Sequence, residues 1–385
     1  MVWHSYHRLL TPPSGSFFLF GIRGVGKSTW ARSFFPKARH FDLLDESLYH
    51  ELLTDPSLFA AQLAGVRPGS WVIVDEVQRI PSLLNEVHRL IETRRLRFAL
   101  LGSSARKLKS AGTNLLAGRA LRKQMFPLTP AELGKDFMLE EVLSLGSIPI
   151  VWVADDRLAT LEAYVQTYLR EEIRAEALVR NLPGFLRFLP VAALFHGQLI
   201  NVSGIARDAG TARTTVEGYL EILEDTLLAF RLPGYEAKLR VRERKHPKLY
   251  WVDPGLVRAV KKQLGPLHAE ERGPLVEGWI LTLLRTYHEK ARLFDEIFYW
   301  SPLDANVEVD FLLRRGRNLL AIEVKSPRRF VPQMLSGLRA ISELPGVRRR
   351  ILVYGGTRPM ISPDGIEIVP IHRFLAMLEE QQLWP

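Results

Sequence analysis

The sequence predicts an α/β protein built from several modules, and three stretches predict it. Ser16–Arg32, S-F-F-L-F-G-I-R-G-V-G-K-S-T-W-A-R, runs from an apolar strand through a glycine-rich turn into a helix. Trp71–Glu76, W-V-I-V-D-E, is a continuous apolar run that stops at two carboxylates, the pattern of a central parallel strand covered on both faces. Near the C-terminus, V-E-V-D-F-L-L and L-L-A-I-E-V-K-S are two further apolar runs with acids set inside them, at Asp310 and Glu323.

The first stretch reads as a phosphate-binding loop. Gly21, Gly24, Gly26, Lys27 and Ser28 fit G-x-x-x-x-G-K-[ST] in full, with Phe17–Phe20 as the strand before it and Ser28–Phe35 as the helix after it. A triphosphate is bound mainly by backbone N–H groups, which converge where side chains are absent and φ can be positive. Gly21, Gly24, Val25 and Gly26 thus form the cradle for ATP. The helix points its positive end at the phosphates, Lys27 reaches the β/γ oxygens, Ser28 can ligate Mg²⁺ and Thr29 adds a hydrogen bond.

Length and composition bound the rest. A chain of 385 residues suggests two to three domains, and 47% hydrophobic with 24% charged residues is ordinary globular composition. With no cysteine there is neither a disulfide framework nor a thiolate metal site, which is compatible with a reducing compartment. The first residues lack the apolar core of a signal peptide, and no apolar run is long enough to cross a bilayer, so a cytoplasmic protein without a membrane partner is expected. The net charge of +10 is uneven: Arg231–Lys262 holds ten Lys/Arg against three Asp/Glu. Such clustering favours a polyanion, because neutralising phosphates releases counterions; a solvated basic face is the alternative.

Arg39–Leu44 is expected as a second strand and Asp45–Leu63 as helix broken at Asp55-Pro56. In W-V-I-V-D-E, Asp75 is placed to hold the Mg²⁺ shell and Glu76 to activate the attacking water. Pro81–Ile91 follows as an amphipathic helix, then Arg97–Leu101 as a buried strand ending in Gly102-Ser103-Ser104. Ser103 or Ser104 there is the candidate sensor of the γ-phosphate.

Together with L-L-A-G-R at Leu115–Arg119, this series resembles the AAA+ ATPases over about the first 130 residues. The resemblance implies ATP hydrolysis with Mg²⁺, and an arginine finger that reaches a neighbouring subunit, hence a homo-oligomer, with a hexameric ring as one form. Arg119 is the candidate finger and Arg122 the reserve. Residues 131–183, mainly helical with a break at Gly146–Pro149, look like the superfamily's lid; Arg170 and Arg174 are second-sensor candidates without a motif behind them.

In the middle module, Leu199–Leu220 reads as two short helices about a turn at Gly210, the first capped by Ser203 and the second opened by Thr211–Thr215. It resembles a winged helix-turn-helix, in which Thr211, Arg213, Thr214 and Thr215 would face DNA. Lys238, Arg240, Arg242 and Arg244 recur at period two and would share one face of the wing as a phosphate-tracking ribbon.

Gly273–Tyr287 is an apolar helix with an acid, Glu277, among residues expected to be buried. With Asp310 and Glu323-x-Lys325 it resembles the core of the PD-(D/E)XK nucleases, though Asp310 stands in V-D-F rather than after a proline. The resemblance implies a restriction-endonuclease-like α/β domain in which Glu277, Asp310 and Glu323 hold Mg²⁺ and Lys325 helps activate water. A nuclease fold kept only for binding or assembly is the alternative.

The expected order is therefore an AAA+ P-loop core at 1–130, a helical lid at 131–183, a winged helix-turn-helix at 184–262 and a nuclease-like domain at 263–385. Such an order resembles a family of prokaryotic ATPases and implies a DNA-directed motor on duplex or branched DNA. The rivals are a nucleotide-dependent switch or scaffold and an ATP-gated nuclease.

Overall fold

A computed structural model describes residues 6–104, 106, 108, 116, 118–168, 173, 181–236, 246–302 and 307–384. The first sheet is parallel throughout. Its strands are β1 (Phe17–Phe20), β2 (Arg39–Asp42), β3 (Trp71–Asp75), β4 (Arg97–Gly102) and β5 (Leu121–Gln124), in spatial order β2-β3-β4-β1-β5. All four residues of β1 are buried, as a strand with parallel neighbours and helices on both faces requires. The order inserts β4 between the phosphate-loop strand and the strand that ends in Asp75.

Around this sheet lie α1 (Lys27–Phe34), α2 (Glu46–Thr54), α3 (Ser57–Gln62) and α4 (Leu83–Arg94). Asp45 caps α2 by accepting from Ser47 N and Leu48 N, and the chain breaks at Asp55-Pro56 before α3. α4 starts two residues later than the sequence suggests and continues to Arg94, where Arg95 takes a left-handed φ of 53° and ends it.

Next come α5 (Pro130–Leu133), α6 (Leu139–Leu145), α7 (Pro149–Trp152) and α8 (Arg157–Ala163), with Gly146 at φ 77° making the expected break between α6 and α7. This layer is pinned to the phosphate loop: Ile150 N donates to Gly24 O at 3.2 Å and Tyr164 Oη to Arg23 O at 2.8 Å. Arg170 and Arg174 lie outside the described residues.

The middle of the chain holds α9 (Leu182–Leu194), β6 (Gln198–Leu199), α10 (Val202–Asp208), α11 (Arg213–Asp225), β7 (Ala229–Leu232), β8 (Lys248–Trp251) and α12 (Pro254–Val260). The three strands form one antiparallel sheet in the order β6-β8-β7. Two caps differ from expectation. Asn201, not Ser203, caps α10 by accepting from Gly204 N, and α11 opens at Arg213 after Ala212, leaving Thr211 in the turn. α12 packs on α6 so closely that a Cβ on Gly255 would fall 2.2 Å from the Leu145 backbone.

The long helix α13 (Ala269–Ala291) overruns the expected span at both ends, because a capping box of His268 and Glu271 starts it and Arg292 in a left-handed conformation stops it. It packs against β5, α6 and α12, and against Asn318–Lys325 and Ile371–Glu379 of the C-terminal part. Lys123 of β5 donates to Glu289 O at 2.8 Å, and its Glu277 meets β8. The C-terminal sheet packs beside it: β9 (Glu296–Trp300), β10 (Val309–Arg315), β11 (Asn318–Lys325), β12 (Val347–Tyr354), β13 (Met360–Ile361) and β14 (Glu367–Pro370), with α14 (Ser336–Ala340) and α15 (Ile371–Glu379). Its order is β13-β14-β12-β11-β10-β9, with β11 antiparallel to β10 and parallel to β12. No helix among the described residues is long and apolar enough to cross a membrane.

Candidate functional site

The phosphate loop has the geometry that its sequence demands. Gly24 and Gly26 sit at φ 75° and 92°, and a Cβ on Gly24 would meet Ile150 Cγ2 at 2.5 Å, so residue 24 must be glycine on both counts. Gly26 precedes α1 and provides no side-chain cap, which leaves the first N–H groups of the helix aimed at the cradle. Lys27 is 6% exposed and donates to Gly21 O at 2.8 Å and Ile22 O at 3.3 Å. A buried ammonium held by loop carbonyls at the N-terminus of a helix fits a triphosphate.

Asp75 ends β3 and is buried. Burial alone would raise its carboxyl, but His40, the Ser28 hydroxyl and the Lys27 charge hold it below its ordinary value. His40 Nε2 stands 3.9 Å from Asp75 Oδ2, beyond direct hydrogen-bond reach. An ionised Asp75 beside a serine hydroxyl fits Mg²⁺ in its usual oxygen shell.

Glu76 adopts φ 55°, a conformation uncommon for a residue with a Cβ, and this turns its carboxylate back toward β4. There Glu76 Oε2 accepts from Gln78 Nε2 and, at 3.4 Å, from Ser103 Oγ, while Gln78 Nε2 also donates to Ser103 Oγ at 3.0 Å. The two serines therefore part company: Ser103 faces Glu76, and Ser104 Oγ accepts from Arg106 N at 3.1 Å. Val25 is buried and its carbonyl accepts from Arg8 Nη1 at 2.6 Å; Thr29 is exposed. Sequence reading missed Gln78 and Arg8, the latter paired with buried Glu132 at 3.0 Å; neither belongs to the loop motif, and only DEVQ as a four-residue run hinted at Gln78.

Arg119 is half-exposed and pairs with Glu92 of its own chain, and Arg122 lies over the Phe20 ring at 5.4 Å. Exposed Thr214 and Arg213 stand at the start of α11; Thr211 and Thr215 are half-buried. Lys238, Arg240, Arg242 and Arg244 lie outside the described residues. Part of the basic segment faces inward: Arg231 pairs with Glu224, Arg258 with Glu271 at 3.2 Å, and Lys248 enters the tail, so its excess charge overstates what a polyanion could meet.

In the tail, Glu277, Asp310, Glu323 and Lys325 come together as the sequence suggests. Lys325 Nζ donates to Glu323 Oε1 at 2.5 Å, Asp310 N donates to Glu323 Oε2 at 3.3 Å, and Val324 N donates to Asp310 Oδ2 at 2.8 Å. Burial and the Asp310 charge push the Glu277 and Glu323 carboxyls well above their ordinary values. The expected Mg²⁺ set does not fit: among the described residues no group of His, Cys, Asp or Glu is arranged to hold a metal ion, and an ammonium, Lys248, stands among these acids.

Residues 14–134 match a family model described as "AAA domain", which together with the phosphate-loop geometry supports an AAA-type ATPase. Residues 137–266 and 272–374 match two models, each described as a domain of unknown function (DUF8612 and DUF4143). The chain is similar to an uncharacterized protein of Mycobacterium tuberculosis, 26% identical over 93% of this chain and 80% of the relative. A Haemophilus influenzae protein, also uncharacterized, is 22% identical over 84% of this chain and 83% of its own. Among solved structures, the RuvB Holliday junction branch migration motor of Thermotoga maritima covers 57% of this chain and 82% of its own at 16% identity, with TM-score 0.29. Aeropyrum pernix ORC1 in complex with DNA covers 66% and 87% at 15% identity, with TM-score 0.28. Likeness at that level carries no argument about function.

Proposed function

We propose that the chain is a DNA-directed ATPase that works as a homo-oligomer, its modules dividing at the boundaries the sequence suggests. The observation that supports the ATPase reading is the place of β4 between β1 and β3: Gly21 N donates to Gly102 O at 3.3 Å, Ser103 is the next residue, and Gln78 ties Glu76 to it. Lys27 binds the β/γ oxygens, Glu76 takes the proton of the attacking water, and Ser103 orients that water. Mg²⁺ held by Ser28 and Asp75 would supply charge neutralisation at the phosphates. Arg119 completes a neighbouring subunit's site once it leaves Glu92.

The DNA reading is supported by the helix pair α10 and α11 beside a three-stranded sheet, with Arg213 and Thr214 exposed at the start of α11. The nuclease-like tail enters as a docking fold rather than a cutting one, because its acids surround Lys248. ATP turnover measured alone and with linear, forked and four-way DNA tests the reading. Turnover that DNA stimulates and Lys27→Ala abolishes is expected. Turnover unaffected by every DNA, with no DNA binding, removes the DNA part; no hydrolysis at all removes the whole.

A further inference from the structure

The tail's acid cluster is filled from the middle module. β8 alternates its side chains, so Lys248 and Tyr250 share a face, and both reach the same oxygen, Glu277 Oε1: Lys248 at 3.3 Å and the Tyr250 hydroxyl by a short hydrogen bond. Lys248 is 3% exposed and lies on an otherwise apolar buried strand. Its ammonium also bonds Glu308 and stands 3.8 Å from Asp310 Oδ1. An ammonium has three donors and no acceptor, and here three carboxylates face it. Burial opposes its charge, yet Glu277, Asp310 and Glu308 more than offset this and raise its pKa.

Three further oxygens of the cluster are also engaged. Asp310 Oδ2 accepts from the β11 backbone, Glu323 Oε1 from Lys325, and Glu323 Oε2 from Asp310 N. Mg²⁺ demands near-octahedral oxygens at about 2.1 Å, so it would have to displace Lys248 and break this set of hydrogen bonds. While β8 stays docked, Lys248 holds the place between Glu277, Glu308 and Asp310.

We infer that Lys248 is a built-in cation that takes the place of a divalent metal in the tail, so that the nuclease-like cluster serves as a lock between the middle module and the tail. The inference does not depend on ATP hydrolysis or on DNA binding, since no group of the phosphate loop enters it. It makes the acids structural partners of β8 and gives them a role that needs no metal. Removing the ammonium should turn the lock back into a metal site.

The test uses the full chain without nucleotide, so that Ser28 and Asp75 have no phosphates to share a metal with. Mn²⁺ is the probe, followed by its electron paramagnetic resonance signal and by thermal unfolding against EDTA. The native chain should show no tight Mn²⁺ site and no Mn²⁺-dependent rise in Tm. Lys248→Ala should have a lower Tm in EDTA and regain on the order of 5 °C at Mn²⁺ a hundredfold above its Kd, and Lys248→Ala with Asp310→Asn should lose that gain. A tight Mn²⁺ site in the native chain that Asp310→Asn abolishes overturns the inference, and this measurement stands whether or not Lys248→Ala folds. A folded Lys248→Ala that takes up no Mn²⁺ overturns it as well.

Discussion

Gln78 Nε2 stands 3.0 Å from Ser103 Oγ and also donates to Glu76 Oε2, so one buried amide ties the acid beyond β3 to the serine beyond β4. In the proposed mechanism an acid free to rotate would seldom meet the attacking water. Held between an amide and a hydroxyl, Glu76 keeps one direction at little entropic expense when substrate arrives.

Two substitutions separate the base from its holder. Glu76→Gln keeps size and removes the proposed base, so ATP should still bind while kcat falls by about 10²–10⁴. Gln78→Leu keeps the volume of a buried side chain and removes the amide that aims Glu76, so kcat should fall about tenfold or more with KM for ATP nearly unchanged. Steady-state kinetics with a fluorescent-nucleotide binding assay reads both. A Gln78→Leu enzyme with native kcat would reduce the amide to a packing role.

Arg119 pairs with Glu92 across an exposed surface, and such a pair contributes about 0–1 kcal/mol to stability. It is therefore cheap to break. Arg119→Ala should leave Tm within about 2 °C of native while lowering ATP turnover by about 10³ or more if the arginine acts in trans. Mixing Arg119→Ala with Lys27→Ala chains should restore part of the activity, because one shared site would then have both groups. Mixtures as inactive as their components would return Arg119 to the surface pair.

The parts of the fold legible in sequence were those fixed by local pattern. Phe17–Phe20 and Val72–Val74 are buried on both faces, and continuous apolar runs announce that; Asp55-Pro56 and Gly146 mark helix breaks by local chemistry. The glycine-rich turn was legible where the backbone demands one residue type, as at Gly24 with its positive φ. Lys248 was not, because its partners lie 29 and 60 residues away and on sequence alone it counts as surface charge. Arg8 was hidden for the same reason, its partner Glu132 being 124 residues distant. Burial turned both from solvated charges into fixed ones, and burial is a property of the assembled chain.

His196 carries a pH dependence of definite sign. It is buried, and its Nδ1 accepts from Trp251 N at 3.1 Å. Burial, aided by the Lys261 charge, lowers its pKa to about 3. Between about 6.5 and 3 the unfolded chain takes up a proton that the folded chain refuses, so the stability from a neutral His196 is complete above the upper value and is lost as pH falls. Fully expressed, the loss is roughly 5 kcal/mol. His196→Asn can still accept from Trp251 N without titrating. Urea unfolding from pH 7.5 to 4 should show the variant weaker at pH 7.5 and the gap closing as pH falls; parallel curves would mean that His196 is protonated in the fold.

The DNA reading makes a prediction in salt rather than in affinity alone. Phosphate contacts release counterions, so each one lost lowers the slope of log K against log salt by about 0.9. Removing Lys238, Arg240, Arg242 and Arg244 together, to Ala, should weaken binding of all duplex sequences alike and reduce that slope by about 3 to 4. Arg213→Ala, at the exposed start of α11, should reduce it by about 1 if it meets a phosphate, or change sequence preference with a smaller change in slope if it meets a base. Lys248→Ala is the control within the same segment: its ammonium faces Glu277 and Glu308, so it should leave the slope unchanged. Fluorescence anisotropy of a labelled duplex from 50 to 300 mM salt measures all three. A slope indifferent to the four-residue change would assign the basic segment to protein contacts, and with it the surface on which the α10–α11 pair acts.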